Sequence, residues 1–352
     1  MRTILTTVGA SLLNNARRNL RRGSNEAVSL QELTNYLRQA SPEEASAETN
    51  SLKRLLQEGD RIVLLYSDTD EGDLCANALK AFYSHQGYQV EIARVHNLNY
   101  TESRFKMLGL RSLVATLIEH IQKERKAERK VLINATGGFK AEVAYATLVG
   151  LLFNVSVYYI HEAFQDIIEI PPIPINWDYS LFASYEEFFE WIDSEPRKTG
   201  EVQQRLHNLP AKDKIYLLLR DEPDGCTYLS PAGETFYRAY EERMTLPGEP
   251  ILLSRKAREA YQSAEPSTRE SFDKVLRKLR HPDLRSNQTE LVRNGDCLVY
   301  PRGHCNERVI FYEQEGKIYV CELVRHSDES YERLISERVL REHYGDFTPW
   351  SG

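Results

Sequence analysis

The chain of 352 residues is long enough for about two or three domains that each bury a hydrophobic core. Its formal net charge of -7 argues against a protein that coats nucleic acid with its whole surface, although a local basic patch is compatible with this charge. No apolar run approaches the roughly 20 residues of a membrane span, and the segment Met1–Gly23 lacks the charge order and cleavage site of a signal peptide. We therefore expect a cytoplasmic protein without a membrane partner.

Apolar runs alternate with helical patterns through the first half of the chain. A strand at Thr3–Ala10 precedes a helix at Ser11–Arg22, and the alternation then continues toward the prolines at 171–174. Further helical patterns cover 29–57, 72–85 and 102–127, and further strands cover 61–66, 88–95, 155–160 and 167–170, with one more from 131. This order predicts a parallel, doubly wound α/β sheet, which binds ligands beyond the carboxyl ends of its strands.

The segment Val131–Tyr145, VLINATGGFKAEVAY, predicts a ligand-binding corner between a strand and a helix. Its glycines let the backbone approach a ligand, the helix start offers N–H groups, and Lys140 adds a positive charge, so we expect an anion such as phosphate. An ordinary turn with a solvated lysine is the alternative. Loops at 8–14, 67–73 and 136–140 would face one crevice. Neither G-x-G-x-x-G nor G-x-x-x-x-G-K-[ST] is present, which disfavours nicotinamide and ATP-hydrolysing enzymes.

The middle of the chain predicts a small helical module. Ser184 and Glu187 form a possible capping box for a packing helix that carries Phe188 and Phe189. Residues 202–244 follow the pattern helix, turn at Asp224–Gly225, second helix, which is typical of a winged helix-turn-helix. A structural spacer that touches no DNA is the alternative, since few basic residues lie on the second helix.

The last part of the chain predicts a small α+β domain. A strand at 251–253 and helices at 254–263 and 267–280 precede three strands, of which the last two meet at the hairpin turn Glu315–Gly316. The three strands are predicted at 290–301, 308–313 and 317–324, and a final helix is predicted to start near Ser327.

Basic and aromatic side chains collect at the ends of these three strands, and we expect adjacent antiparallel strands to bring them onto one concave surface that faces a phosphodiester. Such a set can cleave RNA without a metal, because a base can deprotonate the 2'-OH, arginines can stabilise the charged phosphorus centre and an acid can protonate the leaving oxygen. A solvated basic strand edge, with Tyr331 packed in the core, is the alternative. The set comprises Tyr300, Arg302, His304, Arg308, Arg325, His326 and Tyr331.

Cysteine spacing gives no sign of a metal centre. The five cysteines contain no CxxC pair, so we expect free thiols and neither a zinc site nor a disulfide framework. The sequence likewise predicts no cofactor. The cysteines are Cys75, Cys226, Cys297, Cys305 and Cys321.

Two stretches resemble known families. TTVGASLLNN and NATGGFKAE in the first half resemble a CARF domain, the Rossmann-like sensor of cyclic oligoadenylate in type III CRISPR systems. The helix FDKVLRKLRHPDLR with ERVIFY and VRHSDESY resembles the RelE family of ribosome-dependent mRNA interferases. That resemblance implies roles for Arg308, Arg325 and Tyr331, with His326 as a possible acid. The lysines that RelE carries on the preceding strand have no visible counterpart in this sequence, and Arg302 and His304 are the nearest substitutes.

Together these features resemble the CRISPR-associated mRNA interferases. The implied domains are a sensor at 1–178, a linker helix with a winged helix at 179–247 and a nuclease at 248–352. The resemblance implies a resting enzyme that binds cyclic tetra-adenylate and then cleaves mRNA on the ribosome. The two-fold symmetry of such a ring favours a homodimer. The expected ligand contacts are Ser11, Asn14, Thr136, Gly137, Gly138 and Lys140.

Two other functions stay open from the sequence. In the first, the sensor itself opens the cyclic ligand, with Ser11 and Lys140 holding the phosphate. In the second, the protein is a ligand-controlled DNA-binding regulator that uses the winged helix and performs no catalysis.

Overall fold

A computed structural model of the protein describes residues 1–23, 26–160, 166–175, 177–292, 295–302, 306–327, 331 and 339–351, with the backbone alone at 103 and 104. The chain forms two compact units, and each mixes helices with β-sheet. One unit comprises 1–175 with 196–239, and the other comprises 176–195 with 240–352. A mixed α/β fold is therefore confirmed, whereas the division into three functional domains stays a prediction.

The first unit contains a six-stranded sheet in the order β3-β2-β1-β4-β5-β6. The strands β1 to β5 pair in parallel, and β6 runs antiparallel to β5. Nearly every residue of β1 and β2 is buried, as a parallel sheet covered on both faces requires. The strands are β1 (Arg2–Val8), β2 (Arg61–Ser67), β3 (Gln89–Val95), β4 (Lys130–Asn134), β5 (Val157–Tyr159) and β6 (Ile168–Ile170).

Helices cover both faces of this sheet. Ile4 and Ile62 pack in a core with the helices on one face, while Thr3 faces the other side and donates a 2.6 Å hydrogen bond to Glu124 of α6. This arrangement places the loops after β1, β2 and β4 at one edge of the sheet. The helices are α1 (Ser11–Asn19), α2 (Leu30–Gln39), α3 (Pro42–Ala45), α4 (Ala47–Leu55), α5 (Asp70–His85), α6 (Leu108–Lys126) and α7 (Lys140–Leu152).

The predicted helical region 29–57 is three separate helices. Pro42 cannot continue α2, and Ser46 adopts an extended backbone that separates α3 from α4. Ser46 and Thr49 form a capping box that fixes the start of α4, with Ser46 Oγ accepting from Thr49 N at 3.1 Å. The helix predicted from 102 begins only at Leu108, after a 3-10 turn at Ser103–Lys106.

The middle of the chain contains short helices and a three-stranded sheet in the order β7-β9-β8. Two predictions here are wrong. Ser184 ends α8, and α9 begins at Glu186 without a side-chain cap, so the predicted capping box is not formed. The first helix predicted within 202–244 does not reach the turn at Asp224–Gly225, because the helix Lys212–Tyr216 is followed by a strand at Leu219–Asp221. The elements are α8 (Ser180–Ser184), α9 (Glu186–Ser194), β7 (Arg197–Lys198), α10 (Thr199–Leu206), α11 (Lys212–Tyr216), β8 (Leu219–Asp221), β9 (Cys226–Leu229) and α12 (Pro231–Thr245).

The second unit packs two helices on a sheet of order β11-β12-β13-β14-β10-β15. Phe272 and Leu276 on α14 meet Phe311 and Val320 of the sheet in one apolar core. The predicted strand 290–301 is divided into β11 and β12, and the predicted last helix falls mainly on residues outside the described ranges. The elements are β10 (Ile251–Leu253), α13 (Arg255–Ser263), α14 (Pro266–Leu279), α15 (Pro282–Arg285), β11 (Glu290–Leu291), β12 (Leu298–Tyr300), β13 (Glu307–Gln314), β14 (Lys317–Arg325) and β15 (Thr348–Pro349).

The described cysteines are free thiols. Cys297 and Cys321 are buried with their Sγ atoms 4.0 Å apart, and Cys75 is also buried. Cys305 lies outside the described residues. No helix in the described ranges combines the length and apolar character that crossing a membrane requires.

Candidate functional site

Two glycine-containing loops meet at the edge of the first sheet. Because β1 and β4 are neighbours, their following loops touch, and Thr7 Oγ1 donates a 2.5 Å hydrogen bond to the Gly137 carbonyl oxygen. A Cβ atom on Gly9 would lie 2.7 Å from Gly138 N. Gly138 has a φ of 95°, a conformation that favours glycine. We call the loops 8–14 and 136–140 together the glycine corner.

A buried carboxylate that the sequence analysis missed lies under the glycine corner. Glu48 on α4 is 0% exposed and accepts hydrogen bonds from Gly9 N at 2.7 Å and Ser11 Oγ at 3.2 Å. Ser11 Oγ also accepts from Ala47 N at 3.1 Å. Burial raises the pKa of Glu48, although these bonds oppose the rise. The Ser11 hydroxyl that we predicted for the ligand is thus engaged by the protein itself.

The other predicted ligand contacts divide between structural and open positions. Thr136 Oγ1 donates to Asn134 Oδ1 at 2.8 Å and accepts from Ile160 N at 3.2 Å, so it orders the loop. Gly137 is buried, whereas Gly138 is exposed. Asn14 lies exposed on α1, and Lys140 lies exposed as the first residue of α7. Lys140 and the start of α7 are therefore the part of the corner that an anion can reach.

A second buried carboxylate closes the start of α7. Glu142 is 3% exposed, and its Oε1 accepts from Phe139 N at 3.1 Å. Burial raises the pKa of Glu142 to about 7, the Phe139 bond opposes this rise, and nearby Glu48 adds to it. Glu142 lies three residues after the N-cap position, but that position holds Phe139 and not Ser, Thr, Asp or Asn, so the sequence lacks the usual capping-box signal. No local signal identifies Glu48.

An aromatic cluster that the sequence analysis did not assign borders the same corner. The rings of Tyr100 and Phe139 have centroids 4.3 Å apart, and Phe105 lies 6.0 Å from Phe139 and 6.2 Å from Tyr100. Phe139 is 46% exposed and Tyr100 is 37% exposed. Large aromatic rings at the rim of a polar loop are thus partly open to solvent.

Replacing Gly137 by alanine should destabilise the first unit by about 2 kcal/mol. The new Cβ would lie 2.5 Å from the Thr7 carbonyl oxygen and would clash with Glu48 Oε1. A fall in Tm of roughly 4–8 °C should follow in thermal denaturation monitored by circular dichroism. The matched control is Gly200→Ala in α10, where a Cβ meets nothing within 4 Å. An unchanged Tm for Gly137→Ala would contradict the close approach of the two loops.

The strand register separates the two arginines predicted for catalysis. Glu307 pairs with Arg325, and Arg308 pairs with Val324, so Arg308 and Arg325 lie on opposite faces of the antiparallel hairpin. Arg308 is 5% exposed, and among its contacts Nη1 donates to the Glu307 carbonyl oxygen at 3.0 Å. Arg325 is half-buried. The two guanidinium groups therefore do not belong to one sheet surface.

His326 and Tyr331 are brought together beside this hairpin. Their ring centroids are 5.0 Å apart, and His326 N donates to the Asn306 carbonyl oxygen at 2.6 Å. Asn306 and His326 thus pair one step beyond Glu307 and Arg325. Because successive residues of a strand alternate between faces, His326 lies on the same face of the hairpin as Arg308. His326 and Tyr331 are consequently in contact, and Arg308 is the predicted arginine that shares a face of the hairpin with His326.

The other predicted residues of the second unit are exposed, buried in the core or outside the described ranges. Arg302 is exposed after β12 and forms a 2.5 Å ion pair with Glu290. Tyr300 is buried in the core at 2% exposure and is not available to a substrate. His304 lies outside the described residues.

A cavity of about 320 Å³ in the second unit surrounds the start of α13. None of the predicted catalytic residues lines this cavity, and it does not bear on their assignment. In the described part of the chain, no group of three or more His, Cys, Asp and Glu residues is arranged to hold a metal ion. The cavity is lined by Ser254, Arg255, Lys256, His343, Tyr344, Gly345 and Asp346.

Part of the chain matches a known protein family. Residues 43–173, about a third of the chain, match the family model described as "CRISPR-associated protein (Cas_APE2256)". The matched stretch contains β2 to β6 and the second loop of the glycine corner. This similarity indicates a CRISPR-associated protein.

Proposed function

We propose that the protein is a ribonuclease of a type III CRISPR system that a cyclic oligoadenylate activates. The first unit binds the ligand, with cyclic tetra-adenylate as the first choice. The second unit then cleaves mRNA on the ribosome without a metal. The proposal rests on the resemblances of the sequence to CARF and RelE proteins, and the family match supports its CRISPR part.

The observation that carries the proposal is the glycine corner, whose second loop lies inside the stretch with CRISPR similarity. Two loops approach at Gly9 and Gly138, and Lys140 is exposed at the start of a helix of 13 residues. A helix start of this kind attracts anions through its N–H groups and its dipole. Glu48 already satisfies Gly9 N and Ser11 Oγ, so we assign phosphate binding chiefly to Lys140 and the start of α7.

The nuclease part of the proposal uses the group formed by Arg308, His326 and Tyr331. Tyr331 and His326 can exchange protons with the reacting oxygens, and an arginine can stabilise the charge that develops on phosphorus. The contact between the two rings holds both groups at one end of β14. Arg302 is exposed near this end of the sheet and would contact the RNA backbone.

The symmetry of the ligand suggests the oligomeric state. A ring of four identical nucleotides has a two-fold axis, and a homodimer provides identical loops around such an axis. Activation further requires that the ligand bind the active arrangement more tightly than the resting one. The ribosome and mRNA are the other partners that the proposal implies.

The test is a purified translation reaction with cyclic oligoadenylates of different ring sizes. Cyclic tetra-adenylate should induce mRNA cuts that map to ribosome positions. Lys140→Ala should weaken ligand binding by about 10- to 100-fold in calorimetry, because a charge-assisted contact is lost. Lys130→Ala is the matched control, because Lys130 is an exposed lysine at the start of β4, the end of the strand opposite the glycine corner.

Two outcomes would contradict this function. If the protein binds no cyclic oligoadenylate, the proposed sensor role is wrong. If cleavage is equal with and without ligand, the proposed activation of the nuclease by the ligand is wrong. The same incubations, analysed for linear products, reveal whether the corner opens the ring instead of only binding it.

A further inference from the structure

We propose that Phe139 and Tyr100 form a stacking surface for a nucleobase of the ligand, beside the phosphate contact at Lys140. This inference deepens the proposed function and rests on it. It adds two residues that recognise the base, whereas the glycine corner and Lys140 recognise the phosphate. The ligand class is a nucleotide with a purine base.

Tyr100 contacts Phe139 although the two residues follow different strands of the sheet. The sheet order separates β3 from β4 by two strands, which corresponds to roughly 14 Å across the sheet. The segment after β3 nevertheless brings Tyr100 to Phe139, which follows β4, with their ring centroids 4.3 Å apart. The aromatic cluster therefore spans the edge of the sheet at which β1 and β2 end and their following loops begin.

The surroundings of Tyr100 support this placement. Burial raises the pKa of Tyr100, and Glu71 at the start of α5 and Glu142 at the start of α7 contribute to the rise. Arg17 forms a 3.1 Å ion pair with Glu71, which connects α1 to the same edge.

The rings of Phe139 and Tyr100 are both partly exposed to solvent. Phe139 and Tyr100 keep 46% and 37% of their surfaces in solvent, although Phe105 packs against both. Every nucleobase has a flat face that stacks on aromatic rings, and such contacts contribute substantially to nucleotide binding. Phe139 and Lys140 are consecutive residues, so the aromatic ring can contact a base while the lysine contacts the phosphate of the same nucleotide.

A second copy of the chain is the competing occupant of these rings. The adjacent lysine and helix start favour a nucleotide, because both attract an anion that an apolar dimer contact would not supply. The experiment below separates the two occupants by measuring ligand affinity and molecular mass on the same variants.

The test uses the full chain with cyclic tetra-adenylate as the probe. Phe139→Leu keeps an apolar side chain but removes the aromatic face, and it should weaken binding about tenfold. Phe139→Trp keeps the face, should bind within about threefold of the unchanged protein, and should lose indole fluorescence when adenine stacks on it. Lys130→Trp, at the exposed start of β4 and therefore at the opposite edge of the sheet, is the control and should show no such loss.

The outcomes distinguish this inference from the proposed function. If the unchanged protein binds and Phe139→Leu binds equally well, the stacking role is wrong and the sensor function stands. If Phe139→Trp binds without a change in fluorescence, the base lies elsewhere. A lower molecular mass of Phe139→Leu in light scattering, with unchanged ligand affinity, would assign the rings to a dimer contact. No binding by the unchanged protein would overturn both proposals.

Discussion

Replacing Tyr331 by phenylalanine should lower ligand-dependent mRNA cleavage by about a hundredfold or more. The variant loses only the hydroxyl group, and its ring keeps the contact with His326, whose centroid lies 5.0 Å away. The expected loss reflects a missing proton transfer, so Tm should change by less than about 2 °C. The measurement is single-turnover cleavage on programmed ribosomes, with thermal denaturation of the same preparation.

The matched control for Tyr331 is Tyr312→Phe. Tyr312 is a half-buried tyrosine of the same unit that stacks on Tyr319 at 4.9 Å, and removing its hydroxyl should leave cleavage within about twofold. Full cleavage by Tyr331→Phe would remove this tyrosine from the mechanism. Arg308→Ala is less informative, because the loss of a side chain that is 5% exposed should also lower stability.

Replacing Glu142 by glutamine should stabilise the first unit at pH 8 by up to about 3 kcal/mol and should have little effect near pH 4.5. The folded protein raises the pKa of Glu142 from 4.5 to about 7 because the carboxyl group is buried. Between these two pH values the folded state binds the proton and the unfolded state does not. Stability therefore falls as pH rises through this window and then levels off, whereas glutamine stays neutral throughout.

Denaturation of both proteins at pH 4.5, 6 and 8 measures this difference. Glutamine can still accept the hydrogen bond from Phe139 N through its amide oxygen. Glu119→Gln, on an exposed position of α6, is the control and should show the same difference at every pH. A constant difference for Glu142→Gln would show that its carboxyl group is not buried in the folded protein.

The sequence predicted the parts of the fold that follow from local pattern. Apolar runs located β1, β2 and β3 within about two residues, and Glu315–Gly316 was correctly predicted as a hairpin turn, with positive φ at both residues. The continuous helical pattern at 29–57 was misleading, because the break at Ser46 depends on its extended backbone and its bond to Thr49.

The sites were harder to predict because their composition depends on contacts that are distant in sequence. Ser11 was predicted as a ligand contact from its position after β1. Its hydroxyl instead donates a hydrogen bond to Glu48, which lies 37 residues away in the sequence. Arg308 and Arg325 were placed on one surface, yet only the pairing of the two strands shows that they face opposite ways. A bulge between Ile310 and Phe311 shifts this pairing, and no local sequence pattern reveals it.

The parallel pairing of β10 with β14 joins segments of the second unit that are far apart in sequence. Ile251 pairs with Ile318, and Ser254 Oγ donates a 2.6 Å hydrogen bond to the Cys321 carbonyl oxygen, so β10 and Ser254 depend on partners 67 positions later. Such long-range contacts form late, because a long loop must close first. A chain still in synthesis cannot complete this sheet before β14 emerges. Under the proposed function, the proton-transfer groups that follow β14 can assemble only after β14 has emerged, which delays nuclease activity until most of the unit has been synthesised.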